Sequence, residues 1–233
     1  MRKTVLLVFA SVVFWSGALC TLGEIESLAG ELPSGFSYLD EVVSGGVYDV
    51  RYFGSNNFVG KRIDGYGVAR IILTKPAAAA LAAVQQDLAP FGLGLKFFDG
   101  YRPQRAVLHF VRWAENLNDT RMKNRFYPDV QKKNLFRDGY IAARSGHSRG
   151  STIDLTIVSL DTGAELDMGT PFDYFGPRSW PDNRDMPVQA RCNRALLRQA
   201  MLRNGFRPLK EEWWHFTLRD EPFPETYFDF PVE

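Results

Sequence analysis

The chain has 233 residues, a formal net charge of +1, and 45% apolar and 14% aromatic side chains. That length and apolar content suit one compact domain with a substantial core. Arg and Lys are dispersed and form no basic stripe interleaved with aromatics, so the composition gives no footing for nucleic acid or an anionic membrane as a partner.

The N-terminus has its own pattern. Arg2 and Lys3 precede an apolar run over 5–15, and Ser16-Gly17-Ala18-Leu19-Cys20 follows. This is the layout of a secretory signal peptide over residues 1–20, with small residues at Ala18 and Cys20, and the run is short for a membrane span. The other reading is an uncleaved N-terminal anchor; a lipidated Cys20 is disfavoured by the bulky Leu19 before it. Cleavage would leave residues 21–233 exported, periplasmic or secreted, with no stable membrane association. Cys192 would then be the only cysteine, which excludes a disulfide within one chain. It falls in a predicted helix with no activating neighbour and reads as structural.

After a lead-in over 21–40, residues 47–52 and 68–73 read as short strands on either side of a loop marked by Gly54 and Gly60. Residues 76–88 are the clearest helix, with Thr74 as N-cap, an alanine run, and Pro90 and Gly92 beyond its end. A buried strand over 94–98 runs into Asp99-Gly100-Tyr101-Arg102-Pro103, and Pro103 opens a helix over 104–115. Arg102 therefore stands where a strand stops and a helix begins. It is either a functional cation on a rigid support or a surface arginine paired with a carboxylate. His109 lies in that helix and either packs or faces solvent. Residues 116–140 form a polar surface excursion with one short helix. Residues 160–184 are loop-rich and suit a wall or lid, with Asp173 set between Phe172 and Tyr174. A helix over 187–204 closes at Asn204-Gly205, and an aromatic tail (Phe223, Tyr227, Phe228, Phe230) is expected to pack on the sheet. No repeat and no inter-domain linker is present.

Two segments hold two of the three histidines: Ser145-Gly146-His147-Ser148-Arg149-Gly150-Ser151-Thr152-Ile153-Asp154 and Glu211-Glu212-Trp213-Trp214-His215. Strand alternation puts Thr152, Asp154 and Thr156 on one face, and Trp213, His215 and Thr217 on one face of a second strand over 213–218. A carboxylate on a β-branched strand is costly to bury unpaired, and Gly150 permits a turn that returns His147 over Asp154. Two imidazoles and a carboxylate suit zinc with an open fourth position. The same residues can equally be a turn cap and two ordinarily hydrogen-bonded histidines.

Taken together, Asp99-Gly-Tyr-Arg102-Pro, Ser145-Gly-His147-Ser-Arg-Gly150-Ser-Thr-Ile-Asp154 and Glu212-Trp-Trp-His215 resemble the VanX-type D-alanyl-D-alanine dipeptidases. The likeness runs from about Ser37 to the C-terminus. It implies an α+β single domain with a central antiparallel sheet and flanking helices, the fold shared with D,D-carboxypeptidases and the hedgehog domain. It implies one Zn2+ held by His147, Asp154 and His215, with Glu212 as general base and Arg102 stabilising transition-state charge. It also implies that Asp173, Ser145 and Tyr52 hold the free amino end of a small dipeptide. D-stereospecificity rests on the resemblance alone, export argues for cell-wall turnover or scavenging, and oligomeric state is left open. One departure is Thr152, where the family usually has alanine; it places a hydroxyl on the face of Asp154. Two alternatives stand beside the dipeptidase: a carboxypeptidase trimming wall stems, and a zinc-bearing domain without turnover, which has no need of both Glu212 and Arg102.

Overall fold

The computed structural model describes residues 32–233, and the expected signal segment lies outside them. In chain order these residues form β1 (Phe36–Tyr38), β2 (Val47–Tyr48), β3 (Ile72–Thr74), α1 (Lys75–Leu88), β4 (Leu93–Asp99), α2 (Gln104–Glu115), α3 (Lys123–Phe126), β5 (Thr152–Ser159), α4 (Val188–Arg203), β6 (Phe206–Pro208) and β7 (His215–Leu218). The main sheet runs β2-β4-β5-β7-β6, antiparallel except for the β2–β4 edge pair, and β1 and β3 form a separate antiparallel ribbon. The α+β architecture expected from the motifs is the one present.

The central strand β5 is buried along nearly its whole length. Ile153, Leu155 and Ile157 alternate with Thr152, Asp154 and Thr156, so one face is aliphatic and the other polar. Each of those aliphatic side chains contributes about 1.5–3 kcal/mol by leaving water. Helices α1 and α4 pack on one another and on the sheet, and their buried Leu81, Val84, Leu88, Leu197 and Met201 belong to the same apolar cluster as the aliphatic residues of β5.

Several boundaries differ from the sequence reading. The strand expected over 47–52 is β2 and stops at Tyr48, but its parallel pairing continues as isolated backbone bonds, Asp49 N–H to Phe97 O and Arg51 N–H to Phe98 O. Residues 68–71 precede β3 because Gly67 and Val68 donate to the Val232 carbonyl of the returning C-terminus. Thr74 is at the N-cap of α1, yet its hydroxyl bonds Ser151 Oγ at 2.7 Å instead of a helix N–H. The last strand begins at His215; Trp213 and Trp214 form the turn before it. The aromatic tail covers the ribbon rather than the main sheet: Phe223, Phe228 and Phe230 surround Phe36, and Phe230 stacks on Tyr101 at 4.1 Å. Cys192 is exposed on α4, so it packs no core.

Candidate metal centre and active site

Three backbone devices bring the candidate residues together. The first is cross-strand register: Asp154 of β5 stands directly opposite His215 of β7, and Thr152 opposite Thr217. Opposed residues on neighbouring strands put their side chains on the same face within reach of one another. The second is the 3-10 turn Gly146–Arg149, which lifts His147 over the start of β5. Ser145 Oγ accepts the His147 N–H at its entrance, and Gly150 closes it at φ +82°. A Cβ at Gly150 would lie 2.3 Å from Phe36 Cε1, so both the conformation and the close approach require glycine. The third is a β-bulge in β4. Phe97 pairs with Leu155, but the next register pair is Asp99 with Asp154, and this one-residue shift turns Asp99 onto the face of Asp154.

The ligand-capable atoms converge. His147 Nε2 lies 3.3 Å from His215 Nδ1 and 3.3 Å from Asp154 Oδ2, and His215 Nδ1 lies 3.1 Å from Asp154 Oδ1. His147 Nδ1 donates to the Gly100 carbonyl at 2.7 Å, which leaves the Nε2 lone pair pointing at the other two residues. Gly100 is needed here because a Cβ would meet the Ile72 carbonyl at 2.8 Å. Two imidazole nitrogens facing each other beside a carboxylate repel unless a cation or a proton lies between them. Asp154 Oδ1 is moreover buried without a hydrogen-bond partner, an arrangement that costs stability if left unmet. Protonation matches at His147 and Asp154, while at His215 the hydrogen bond and charge of Asp154 outweigh burial and raise the imidazole, so a metal there would displace a proton. Burial holds His147 below the usual imidazole range, and Asp154 is held well below the carboxylate range despite its burial, by His147 and His215 beside it. Neutral imidazole and ionised carboxylate are the forms that bind a divalent metal. The donor set fits a cation.

Around it stand the remaining groups. Glu212 Oε2 is 3.5 Å from His215 Nδ1, carried there by a turn in which the His215 N–H reaches the Glu212 carbonyl. Burial pushes its carboxyl up to about 7, against the opposing pull of His215. Arg102 is no surface arginine. It binds Asp99 Oδ2 through Nε at 2.9 Å and Nη2 at 2.7 Å, and its Nη2 lies 3.7 Å from Asp154 Oδ2. Its guanidinium stands over the rings of Tyr52 at 4.9 Å and Phe110 at 5.2 Å. Asp173 is buried, adopts φ +62°, and accepts from the Tyr52 hydroxyl at 3.1 and 3.2 Å. Burial first, and then the charge of Asp154, raises its carboxyl well above the ordinary range.

All eight residues singled out from the sequence (Tyr52, Arg102, Ser145, His147, Asp154, Asp173, Glu212 and His215) line one cavity of about 230 Å³. The loop over 160–184 supplies part of its wall through Asp173 and Phe175. His109 is elsewhere, with Nδ1 accepting the Asp64 N–H. The Thr152 hydroxyl is taken up by Thr217 Oγ1 at 2.9 Å across the sheet, so it does not turn toward the ligand atoms. The sequence reading gave Asp99 no role beyond its place in the Asp99–Pro103 motif. Asp99 is buried, accepts from Tyr66 Oη at 2.6 Å, holds Arg102, and lies 3.4 Å from His147 Nδ1. The available signal was a carboxylate three residues ahead of an arginine at a strand end; the bulge that aims it had no local signature.

The family model described as D-ala-D-ala dipeptidase (Peptidase_M15) matches residues 33–233. A D-alanyl-D-alanine dipeptidase of Streptomyces coelicolor is 48% identical over 197 residues, covering 84% of this chain and 98% of its own length. That of Enterococcus faecalis is 45% identical over 201 residues, 86% and 100% respectively. That of Escherichia coli is 36% identical over 170 residues, 73% and 77%. With a cation-fitting His-Asp-His set, an adjacent carboxylate and similarity along the whole described domain, the chain is a metallopeptidase and belongs to the Peptidase_M15 D-ala-D-ala dipeptidase family.

Proposed function

We propose that this chain hydrolyses the free dipeptide D-alanyl-D-alanine to D-alanine, with zinc held by His147, Asp154 and His215. The observation that carries the reading is Asp173 with Tyr52: a buried carboxylate in the catalytic cavity that forms no ion pair among the described residues, while the nearby Arg102 is itself held by Asp99. A protonated amine is the natural partner for such a group. A cavity of about 230 Å³ has room for a small peptide. The D configuration of the substrate is taken from the names of the relatives.

The donor types suit zinc: two imidazole nitrogens and a carboxylate oxygen, all within 4.8 Å of one another, would hold it and leave a fourth position open. When bound, zinc supplies a Lewis acid and lowers the pKa of water toward ~7. The chain's own groups do the rest. Glu212 takes the proton of the attacking water and returns it to the leaving amine. Arg102, fixed by Asp99 and over two aromatic faces, stabilises the negative charge that develops on the former carbonyl oxygen. Asp173, Tyr52 and Ser145 hold the ammonium and so orient the scissile bond.

Residues 1–20 act in this reading as a signal peptide, and the enzyme works in the periplasm or outside the cell on dipeptide from wall turnover. The experiment is D-alanine release by residues 21–233 from D-Ala-D-Ala and from its N-acetylated form, with and without chelator. Chelator-sensitive cleavage of the free dipeptide alone is expected. Equal cleavage of the blocked form would instead make the chain a carboxypeptidase. Zinc binding without cleavage would make it a binding domain.

A further inference from the structure

A dipeptide carries a charge at each end, and the roles assigned so far leave its carboxylate without a partner. Asp173 and Tyr52, the ammonium side, are buried, 4% and 2% exposed. With the ammonium at that closed end and the scissile carbonyl at the His147–Asp154–His215 group, the C-terminal carboxylate must point toward the mouth. Two arginines line the cavity, Arg102 and Arg144. Arg102 is committed to Asp99 through two nitrogens and sits deep over aromatic rings. Arg144 is exposed at the mouth, immediately before Ser145, and among the described residues it forms no ion pair; its guanidinium stands over the Tyr227 ring at 5.1 Å.

The surroundings add to the same charge. A second hollow of about 340 Å³ shares Gly146, Leu209 and His215 with the catalytic cavity and is bordered by Arg149 and Arg207. Both of those arginines lean on one buried carboxylate, Glu221: Arg149 through two bonds of 2.8 Å and Arg207 through one contact of 3.2 Å. Arg149 also lies over Tyr227, at 5.7 Å. Among these four side chains, three guanidiniums share one carboxylate. Arg149 is held rigidly by Glu221, whereas Arg144 keeps its fork of donors available.

We infer that Arg144 is the carboxylate-binding residue of this enzyme, reading the free C-terminus of the dipeptide at the cavity mouth, with Arg207 reinforcing the positive rim. The inference rests on the dipeptidase reading and extends it: the substrate is measured from both ends, ammonium at Asp173 and carboxylate at Arg144. Planar guanidinium matches carboxylate geometry with two parallel hydrogen bonds. A substrate whose C-terminus is an amide loses that pairing but keeps the scissile bond and the ammonium.

The test compares D-Ala-D-Ala with D-Ala-D-alaninamide as substrates for the wild-type chain, Arg144→Met and Arg144→Lys, with kcat and KM separated. The wild type is expected to prefer the acid by about tenfold or more in kcat/KM. Arg144→Met should lose most of that preference through a raised KM for the acid, and Arg144→Lys, which keeps the charge but not the two-bond fork, should keep only part of it. A merely structural role for Arg144 would lower both substrates together and leave their ratio in place, which would overturn the inference. Equal use of acid and amide by the wild type would remove the carboxylate subsite while the dipeptidase reading stood. Cleavage of neither would remove the dipeptidase reading and this site with it.

Discussion

Glu212 and His215 are three residues apart, and the turn between them fixes their relation more tightly than sequence distance does. The carboxylate reaches the rim of the His-Asp-His group yet is separate from its three converging atoms. A base in that position is expected to leave metal binding intact when its charge is removed. Glu212→Gln should therefore keep a full complement of metal, read by elemental analysis, and lose about 10²–10⁴-fold in kcat. Loss of metal alongside activity would make Glu212 a ligand instead. Asp173 carries a different consequence. Burial and the nearby charge of Asp154 raise its carboxyl, a bias toward the protonated form that an incoming ammonium opposes. Binding of the dipeptide to the Glu212→Gln protein should release a proton, measurable by calorimetry in two buffers of different ionisation heat. Asp173→Asn should abolish that release and weaken binding. Proton release unchanged in Asp173→Asn would move the ammonium site elsewhere. Asp173 also sits at φ +62°, a conformation costing a non-glycine residue about 1–3 kcal/mol, of the kind that collects at ligand clamps.

At the scale of elements, the site depends on places where regular structure is interrupted. The bulge in β4 brings Asp99 beside Asp154, and the 3-10 turn before β5 carries His147. Gly150 is the pivot of that turn, and its carbonyl also accepts the Thr74 N–H at 2.7 Å, tying the turn to the end of β3. Gly150→Ala meets both a left-handed φ and the ring of Phe36. It should destabilise the protein by about 2–5 kcal/mol, seen as a lower urea midpoint at unchanged slope, and should weaken metal binding because His147 rides on the same turn. A change within about 0.5 kcal/mol would mean that Phe36 and the turn relax freely, and the rigidity argued here would be wrong.

For the molecule as a whole, the three segments that carry the candidate ligands meet only through tertiary structure, so a metal bound there would join β5, β7 and the 3-10 turn into one unit. Folded chain binds the ion far better than unfolded chain does, and saturation at a thousand times Kd adds about 4 kcal/mol of stability. For a domain of this size that is on the order of 10 °C in melting temperature. Melting with metal, with chelator and after metal is restored checks it. An unchanged melting temperature would mean that the unfolded chain binds the ion comparably or that the site binds weakly.

Much was written in the sequence. The helices α1, α2 and α4 follow from alanine content, Pro103, apolar spacing and Asn204-Gly205, because helix signals are local. Asp154 and His215 were legible as lone metal-capable side chains on apolar strands, and the separated motifs named the family. What the chain order could not contain is pairing. The strand at 47–52 shortened and the one at 68–73 shifted because their backbone groups bond distant residues, the C-terminus included. The Thr152 hydroxyl faces Thr217, a partner 65 positions away. Asp99 became a site residue through a one-residue slip between two strands, and Arg144 stands out only once Arg102 is seen to be committed to Asp99. Residue types and local periodicity settle which elements form and which atoms are able to bind a cation. Register, bulges and burial, which arise only when distant segments compete for the same hydrogen bonds and the same dry space, decide which of those atoms meet.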